Sequence, residues 1–143
     1  MIPRAKVNYG FLDLARALFV SESSDAQREL LKSKLAEMFQ TRSVVLTASG
    51  RGGLCMLLKE LPHSKVLIPA YTCLAVDDAV RFAGKTLEHV KCCKKDFNMD
   101  VNDVEWRLDS NTIVVATHQY GLPCEIEKLA KICRRNGAFL IED

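Results

Sequence analysis

Four short stretches gather the residue types that bind charged groups or move protons, and each follows an apolar run. The first is Thr47-Ala48-Ser49-Gly50-Arg51-Gly52-Gly53. Glycines let backbone amides approach an anion, and a helix starting here adds free N–H groups and partial positive charge. Arg51 adds a guanidinium that can make a charge-assisted bond to a phosphate. The spacing is neither that of a Walker loop nor that of a dinucleotide fingerprint, and a plain structural turn before a helix reads equally well from it. The second stretch, Ile68-Pro69-Ala70-Tyr71-Thr72-Cys73, stops a strand at its proline and offers Thr72 as cap of the next helix. The third, Thr117-His118-Gln119-Tyr120-Gly121-Leu122-Pro123, is a polar, aromatic turn; a single histidine in such a turn is most often a hydrogen-bonded structural residue. The fourth, Ile141-Glu142-Asp143, sets two carboxylates at the end of an apolar run, where a solvated strand end is the plain alternative.

Regular elements must hold these stretches. Short β-rich runs at Val44–Thr47, Val66–Ile68, Thr86–Val90, Ile113–Thr117 and Ala138–Ile141 read as strands. Between them lie helix candidates at 51–61, 73–83, about 101–108 and 124–136, with Gly84 and Gly137 where glycines commonly end helices. The runs VVLT, VLI, IVVA and AFLI are apolar on both faces, as strands covered on both sides should be. The alternation predicts an α/β fold with a mostly parallel sheet. In such sheets ligands bind beyond the carboxyl ends of the strands, where the four stretches fall. Ahead of the alternation, Leu12 to Val20 reads as a short helix. Residues 24–40 read as an amphipathic helix opened by a Ser24–Gln27 capping box.

Composition narrows the function classes. Twenty Lys and Arg against 18 Asp and Glu leave a charge of +2 over 143 residues, too little for a nucleic-acid binder. With 48% apolar and 27% charged residues, the chain reads as globular. Six cysteines form no CxxC pair, and the three histidines lie at no finger-like spacing from them, which argues against a metal site. Free thiols in a reducing cytosol, each a small buried hydrophobe, are the economical reading. No run approaches the roughly 18 apolar residues of a membrane helix, so a cytoplasmic location without membrane contact is expected.

In order, the segments SGR, IPAYTC, FNMD, HQYGLP and LIED resemble the DegT/StrS-type (DegT/DnrJ/StrS) sugar aminotransferases. These are pyridoxal-phosphate enzymes of the aspartate-aminotransferase fold. The resemblance runs from about residue 28 to residue 143. It implies an N-terminal lead-in over 1–23 and, over 24–143, the first part of a cofactor-binding large domain. By position, Gly50 and Arg51 match the family's phosphate-binding turn, with Arg51 where many relatives have threonine. Cys73 matches the place where many members set an aromatic over the cofactor ring. His118 matches the histidine of the H-x-Y/F-G turn near the cofactor, and Asp143 the aspartate that pairs with the pyridine nitrogen.

The resemblance also implies what is missing. The family's Schiff-base lysine lies downstream in a segment resembling S-F-x-x-x-K, which nothing here matches. The eleven lysines read as solvated surface. No catalytic residue is therefore expected in this chain, which alone should be inactive. Two later strands of the family's sheet insert between the first and the fifth, so Val44–Thr47 should lack its neighbour and the fifth strand should show an exposed edge. The whole enzyme would move an amino group from an amino acid, often glutamate, to a nucleotide-linked keto-sugar. It would work as a homodimer, serving polysaccharide or antibiotic-sugar synthesis. Two alternatives stay open: a noncatalytic remnant or binding module that pairs with a second chain, and a small doubly wound nucleotide-binding domain.

Overall fold

The computed structural model describes residues 10–19 and 24–143. Most of the expected lead-in, residues 1–9 and 20–23, and the side chain of Ser24 with its capping box lie outside the described residues. The chain divides into two compact units, Met1–Leu46 and Thr47–Asp143.

The first unit holds α1 (Phe11–Leu18) and α2 (Ser24–Met38). Asp13 accepts a bond from the Gly10 amide at 2.9 Å and so closes the start of α1. On α2, Lys32 pairs with Glu29 one turn back at 2.7 Å. The helix ends slightly earlier than expected, because Gln40 turns to a positive φ of 49° and the Thr41 amide folds back onto Ala36 O. Phe11, Leu12, Leu30, Leu31 and Phe39 are all exposed.

The second unit is a four-stranded parallel sheet: β1 (Lys65–Pro69), β2 (Thr86–Val90), β3 (Thr112–Ala116) and β4 (Phe139–Glu142) in the order β2-β1-β3-β4. Around it lie α3 (Gly50–Glu60), α4 (Leu74–Phe82), α5 (Val101–Arg107) and α6 (Ile126–Asn136). The period-2 alternation of strand side chains divides the core in two. Val66, Ile68, Ile113 and Val115 pack with Leu58 of α3 and Val76 and Val80 of α4. Leu67, Val114 and Ala116 pack on the other side with Val104 of α5 and Leu129, Ile132 and Cys133 of α6. Every residue of β3 is buried, which explains why IVVA reads as a continuous apolar run. Gly137 ends α6 at φ 68°, where a Cβ would be strained, and the amides of Gly137 and Ala138 close the last turn onto Arg134 and Cys133.

Four of the five expected strands and all four helices between them are present, shifted by at most two residues at an end. The exception is Val44–Thr47, which forms no strand. Val45 is 78% exposed and finds no ladder partner among the described residues. β-propensity describes fitness for a pleated, paired surface, and without a neighbouring strand to take its amides and carbonyls the segment has nothing to join. Among the described residues β4 has no partner on its outer side, and Phe139 is 40% exposed. The buried-hydrophobe reading of the cysteines holds for Cys124 and Cys133 only; Cys73 is exposed and the other three are half-buried. No helix among the described residues is long and apolar enough to cross a membrane. No cluster of potential metal ligands occurs among them either.

Candidate functional site

A cavity of about 210 Å³ lies at the carboxyl side of the sheet, lined by Gly50, Arg51, Leu54, Cys73, Ala75, Val76 and Asp143. Three separate segments build it. The start of α3 supplies the glycine and arginine, the start of α4 the cysteine, and the residue after β4 the carboxylate. Sequence reasoning singled out four of these residues, and the fold brings them together. The fifth, His118, does not line the cavity.

The α3 start owes its shape to local bonds. Ser49 caps it, its Oγ accepting the Gly52 amide at 3.1 Å and its carbonyl the Gly53 amide at 2.9 Å. The first amides of a helix have no partner within it. Those of Gly50 and Arg51 find none among the described residues. The glycines here differ in role. A Cβ on Gly53 would lie 2.8 Å from Thr47 Oγ1, whereas one on Gly50 would meet nothing within 4 Å. Gly53 therefore serves the turn, and Gly50 leaves open space at the cavity.

Arg51 Nη1 donates to Asp78 Oδ2 of α4 at 2.8 Å. The neighbouring Asp77 is engaged elsewhere, with Arg81 and with His89 Nε2 at 3.2 Å. The hydrogen bond from Arg81 leads in holding the Asp77 carboxyl below its ordinary range. Contrary to expectation, Thr72 does not cap α4. Cys73 is the N-cap residue without a side-chain cap bond, and the buried Thr72 Oγ1 has no partner among the described residues. Thr117 Oγ1, after β3, is buried and unpartnered in the same way. Buried hydroxyls without partners are costly.

His118 belongs to the frame that holds Asp143. The His118 amide donates to Asp143 O at 3.2 Å, and the Asp143 amide to Ala116 O at 2.8 Å, so the β3–β4 ladder runs on through these residues. Nδ1 of the ring accepts the Cys124 amide at 3.0 Å, which leaves the proton on Nε2 to donate to Glu142 Oε1 at 2.8 Å. Both ring nitrogens are thereby committed. Next to this frame stands Asn98, 2% exposed, whose role the sequence did not disclose. Its Oδ1 accepts the Gln119 amide at 3.0 Å and its Nδ2 donates to Leu122 O at 3.1 Å. Gln119 Nε2 donates in turn to Tyr71 O at 2.7 Å, and the Tyr71 and Tyr120 hydroxyls bond to each other. The loops after β1 and β3 are thus latched, with Tyr120 held at a positive φ of 54°.

Chemically, the donor set suits a phosphate group: two free amides, a guanidinium and an open glycine at a helix start. The Asp143 carboxylate suits a cationic or N–H-bearing group at the same cavity. A volume near 210 Å³ falls below the roughly 300–1,000 Å³ common for small-molecule sites, so the cavity has room for a small group such as a phosphate. None of its lining residues is a lysine.

Comparison with known proteins gives these observations a setting. The sequence pattern described as the DegT/DnrJ/EryC1/StrS aminotransferase family matches residues 20–143. GDP-perosamine synthase of Escherichia coli is 27% identical over 116 residues, covering 78% of this chain and 32% of that protein. The UDP-N-acetyl-3-dehydro-alpha-D-glucosamine 3-aminotransferase of Acidithiobacillus ferrooxidans is 26% identical over 121 residues, covering 82% and 33%. The chain thus spans about a third of the length of these relatives. Among solved structures, NtdA of Bacillus subtilis with bound cofactor PMP superposes with a TM-score of 0.73 at 24% identity, covering 80% of this chain and 27% of that one.

Proposed function

Because the chain belongs to the DegT/DnrJ/EryC1/StrS aminotransferase family and carries part of the aspartate-aminotransferase-like fold, we propose that it is the N-terminal part of a pyridoxal-phosphate-dependent aminotransferase. Its substrates would be a nucleotide-linked keto-sugar and an amino-acid donor. The supporting observation is the cavity in which Gly50, Arg51, Cys73 and Asp143 meet from three segments. The name of the Acidithiobacillus relative, a dehydro-sugar carried on UDP, supports the substrate class. The PMP held by the Bacillus protein supports the cofactor.

In this reading the Gly50 and Arg51 amides and the Arg51 guanidinium bind the phosphate. Pyridoxal phosphate, when bound, supplies a ring that takes up the electron pair released at the substrate's amino-bearing carbon. Asp143 holds a proton on the ring nitrogen, since a nearby carboxylate favours the charged form of its partner. Cys73 offers a polarisable thiol against the ring in place of an aromatic face. His118 keeps Glu142 and Asp143 in line through its backbone and ring bonds. The Schiff-base lysine comes from outside this chain, which by itself is inactive; the whole enzyme is a cytoplasmic homodimer. The family match displaces the nucleotide-binding-domain alternative.

Borohydride reduction of the chain with pyridoxal phosphate, followed by peptide mapping, is the direct test. The expected result is reversible binding, weakened at least tenfold in Arg51→Ala, and no stoichiometric lysine adduct. A single lysine labelled to completion would refute the division of labour. Equal affinity of wild type and Arg51→Ala would remove the phosphate site from this cavity.

A further inference from the structure

Arg51 stands where many relatives have threonine, and the guanidinium that replaces the hydroxyl already has a partner in Asp78 at 2.8 Å. Both side chains are about half exposed, 52% and 43%. An ion pair this exposed adds little to stability. Nor is it needed to hold α3 against α4, because Leu54 and Leu58 of α3 already pack with Val76 and Val80 of α4. Its consequence lies at the cavity. Arg51 lines that space, and Asp78 sits on the helix whose first turn supplies Cys73, Ala75 and Val76 to the same wall. An anion entering there meets an arginine whose charge is offset by a carboxylate of the anion's own sign. The planar guanidinium has five N–H donors, enough to keep one bond to Asp78 and offer others to a phosphate.

We propose that Asp78 is the counter-ion that sets this cavity's affinity for a phosphate group, holding the Arg51 guanidinium at the wall while offsetting its charge. The inference rests on the phosphate-binding reading of Gly50 and Arg51. Asp77 does not share the role, since Arg81 and His89 neutralise it. Unit charges several ångströms apart at a half-exposed site interact at an effective dielectric constant of tens, so removing the Asp78 charge raises phosphate affinity roughly three- to tenfold. Neutral Asp78→Asn retains an oxygen that can accept the Arg51 bond, which separates charge from positioning.

The experiment is calorimetric titration of the chain with inorganic phosphate at low salt, on wild type, Asp78→Asn, Arg51→Gln and the double variant. Asp78→Ser serves as a second neutral replacement. Asp78→Asn and Asp78→Ser should bind several-fold tighter. The gain should shrink as salt screens the charge, and it should vanish when Arg51 is also replaced. Unchanged or weaker binding in both Asp78 variants overturns the proposal, as does the absence of phosphate binding in every variant. Displacement of phosphate by pyridoxal phosphate tests the underlying reading separately. Tighter binding in Asp78→Asn without displacement keeps the counter-ion and discards the cofactor site. Displacement without the affinity gain does the reverse.

Discussion

Replacing Asn98 by leucine should cost the protein about 2 kcal/mol, and the structure shows where that comes from. Two side-chain bonds disappear: the one accepted from the Gln119 amide at 3.0 Å and the one donated to Leu122 O at 3.1 Å. The two losses are unequal. Gln119 is partly buried, so its amide is left with little access to water and a penalty of roughly 1–3 kcal/mol. Leu122 is 49% exposed, so water replaces most of what its carbonyl loses. The backbone bonds of residue 98, from Cys93 N to Asn98 O and from Asn98 N to Asp96 Oδ1, survive the substitution. For a chain of this size the loss corresponds to a fall in melting temperature of roughly 4–8 °C. Thermal unfolding followed by circular dichroism measures it, and amide exchange at Gln119 should speed up more than exchange in β1 or β3. Asn98→Asp keeps the acceptor for Gln119 but loses the donor. Burial raises its carboxyl pKa, so its deficit should grow as pH rises through that value. A melting temperature within 2 °C of wild type for Asn98→Leu, or exchange at Gln119 no faster than in the strands, would refute the reasoning.

Three further outcomes follow from other parts of the molecule. Asp109 is held down to about 2, first by the hydrogen bond from Lys65 and then by that from Thr112, so the stability it contributes is present above pH 4 and lost as pH falls toward 2. Lys65→Met should flatten that acid limb in urea melts taken between pH 2 and 5, and an unchanged limb would assign it to other carboxylates. Burial pushes the Cys133 thiol up to about 11 and raises that of Cys124, whereas Cys73 is exposed. A disulfide reagent at pH 8 should therefore modify Cys73 first and reach Cys124 and Cys133 only on unfolding; early labelling of Cys133 would contradict the packing of α6. Gly50→Ala should stabilise α3 by up to about 1 kcal/mol, because its Cβ meets open space, while weakening phosphate binding there. Gly53→Ala should gain nothing, since its Cβ displaces the Thr47 hydroxyl, and equal gains at both positions would show that the turn tolerates the clash.

What the sequence disclosed and what it withheld divide along the range of the interactions concerned. β2 falls at Thr86–Val90 as expected, because its pattern and its bounding Gly84 are local signals. The run at Val44–Thr47 carries the same propensity, but a strand exists only when a ladder partner exists, and that is not written within the run. The resemblance put Gly50, Arg51, Cys73 and Asp143 in one site, and for Cys73 and Asp143 there is a general reason: parallel strands send their carboxyl ends to one side of the sheet, whereas Gly50 and Arg51 follow a run that forms no strand. Thr72 misled, since a threonine before a helix is a good cap only if the chain enters with the cap at that residue; here the entry falls one residue later, at Cys73. Asp78 and Asn98 stayed hidden for a different reason. Their partners lie 27 residues away for Asp78 and 21 and 24 for Asn98, in pairings that exist only once the loops are stacked.

The placement of Asp143 shows why binding and chemistry are separable here. Its backbone is fixed on both sides, by the amide bond to Ala116 O and by the bond its carbonyl accepts from His118. The backbone position from which the carboxylate projects therefore depends on the β3–β4 ladder and its extension through His118. The α3 start is likewise set by Ser49 and Gly53 within its own turn. His118→Ala keeps the amide bond to Asp143 and removes only the ring's bonds to Glu142 and the Cys124 amide, so phosphate affinity should survive it, while the loosened β4 end should weaken the contribution of Asp143 to pyridoxal phosphate binding. Titrating His118→Ala with both ligands separates the two. A parallel loss for phosphate and pyridoxal phosphate would mean that the α3 turn and the β4 end act as one unit.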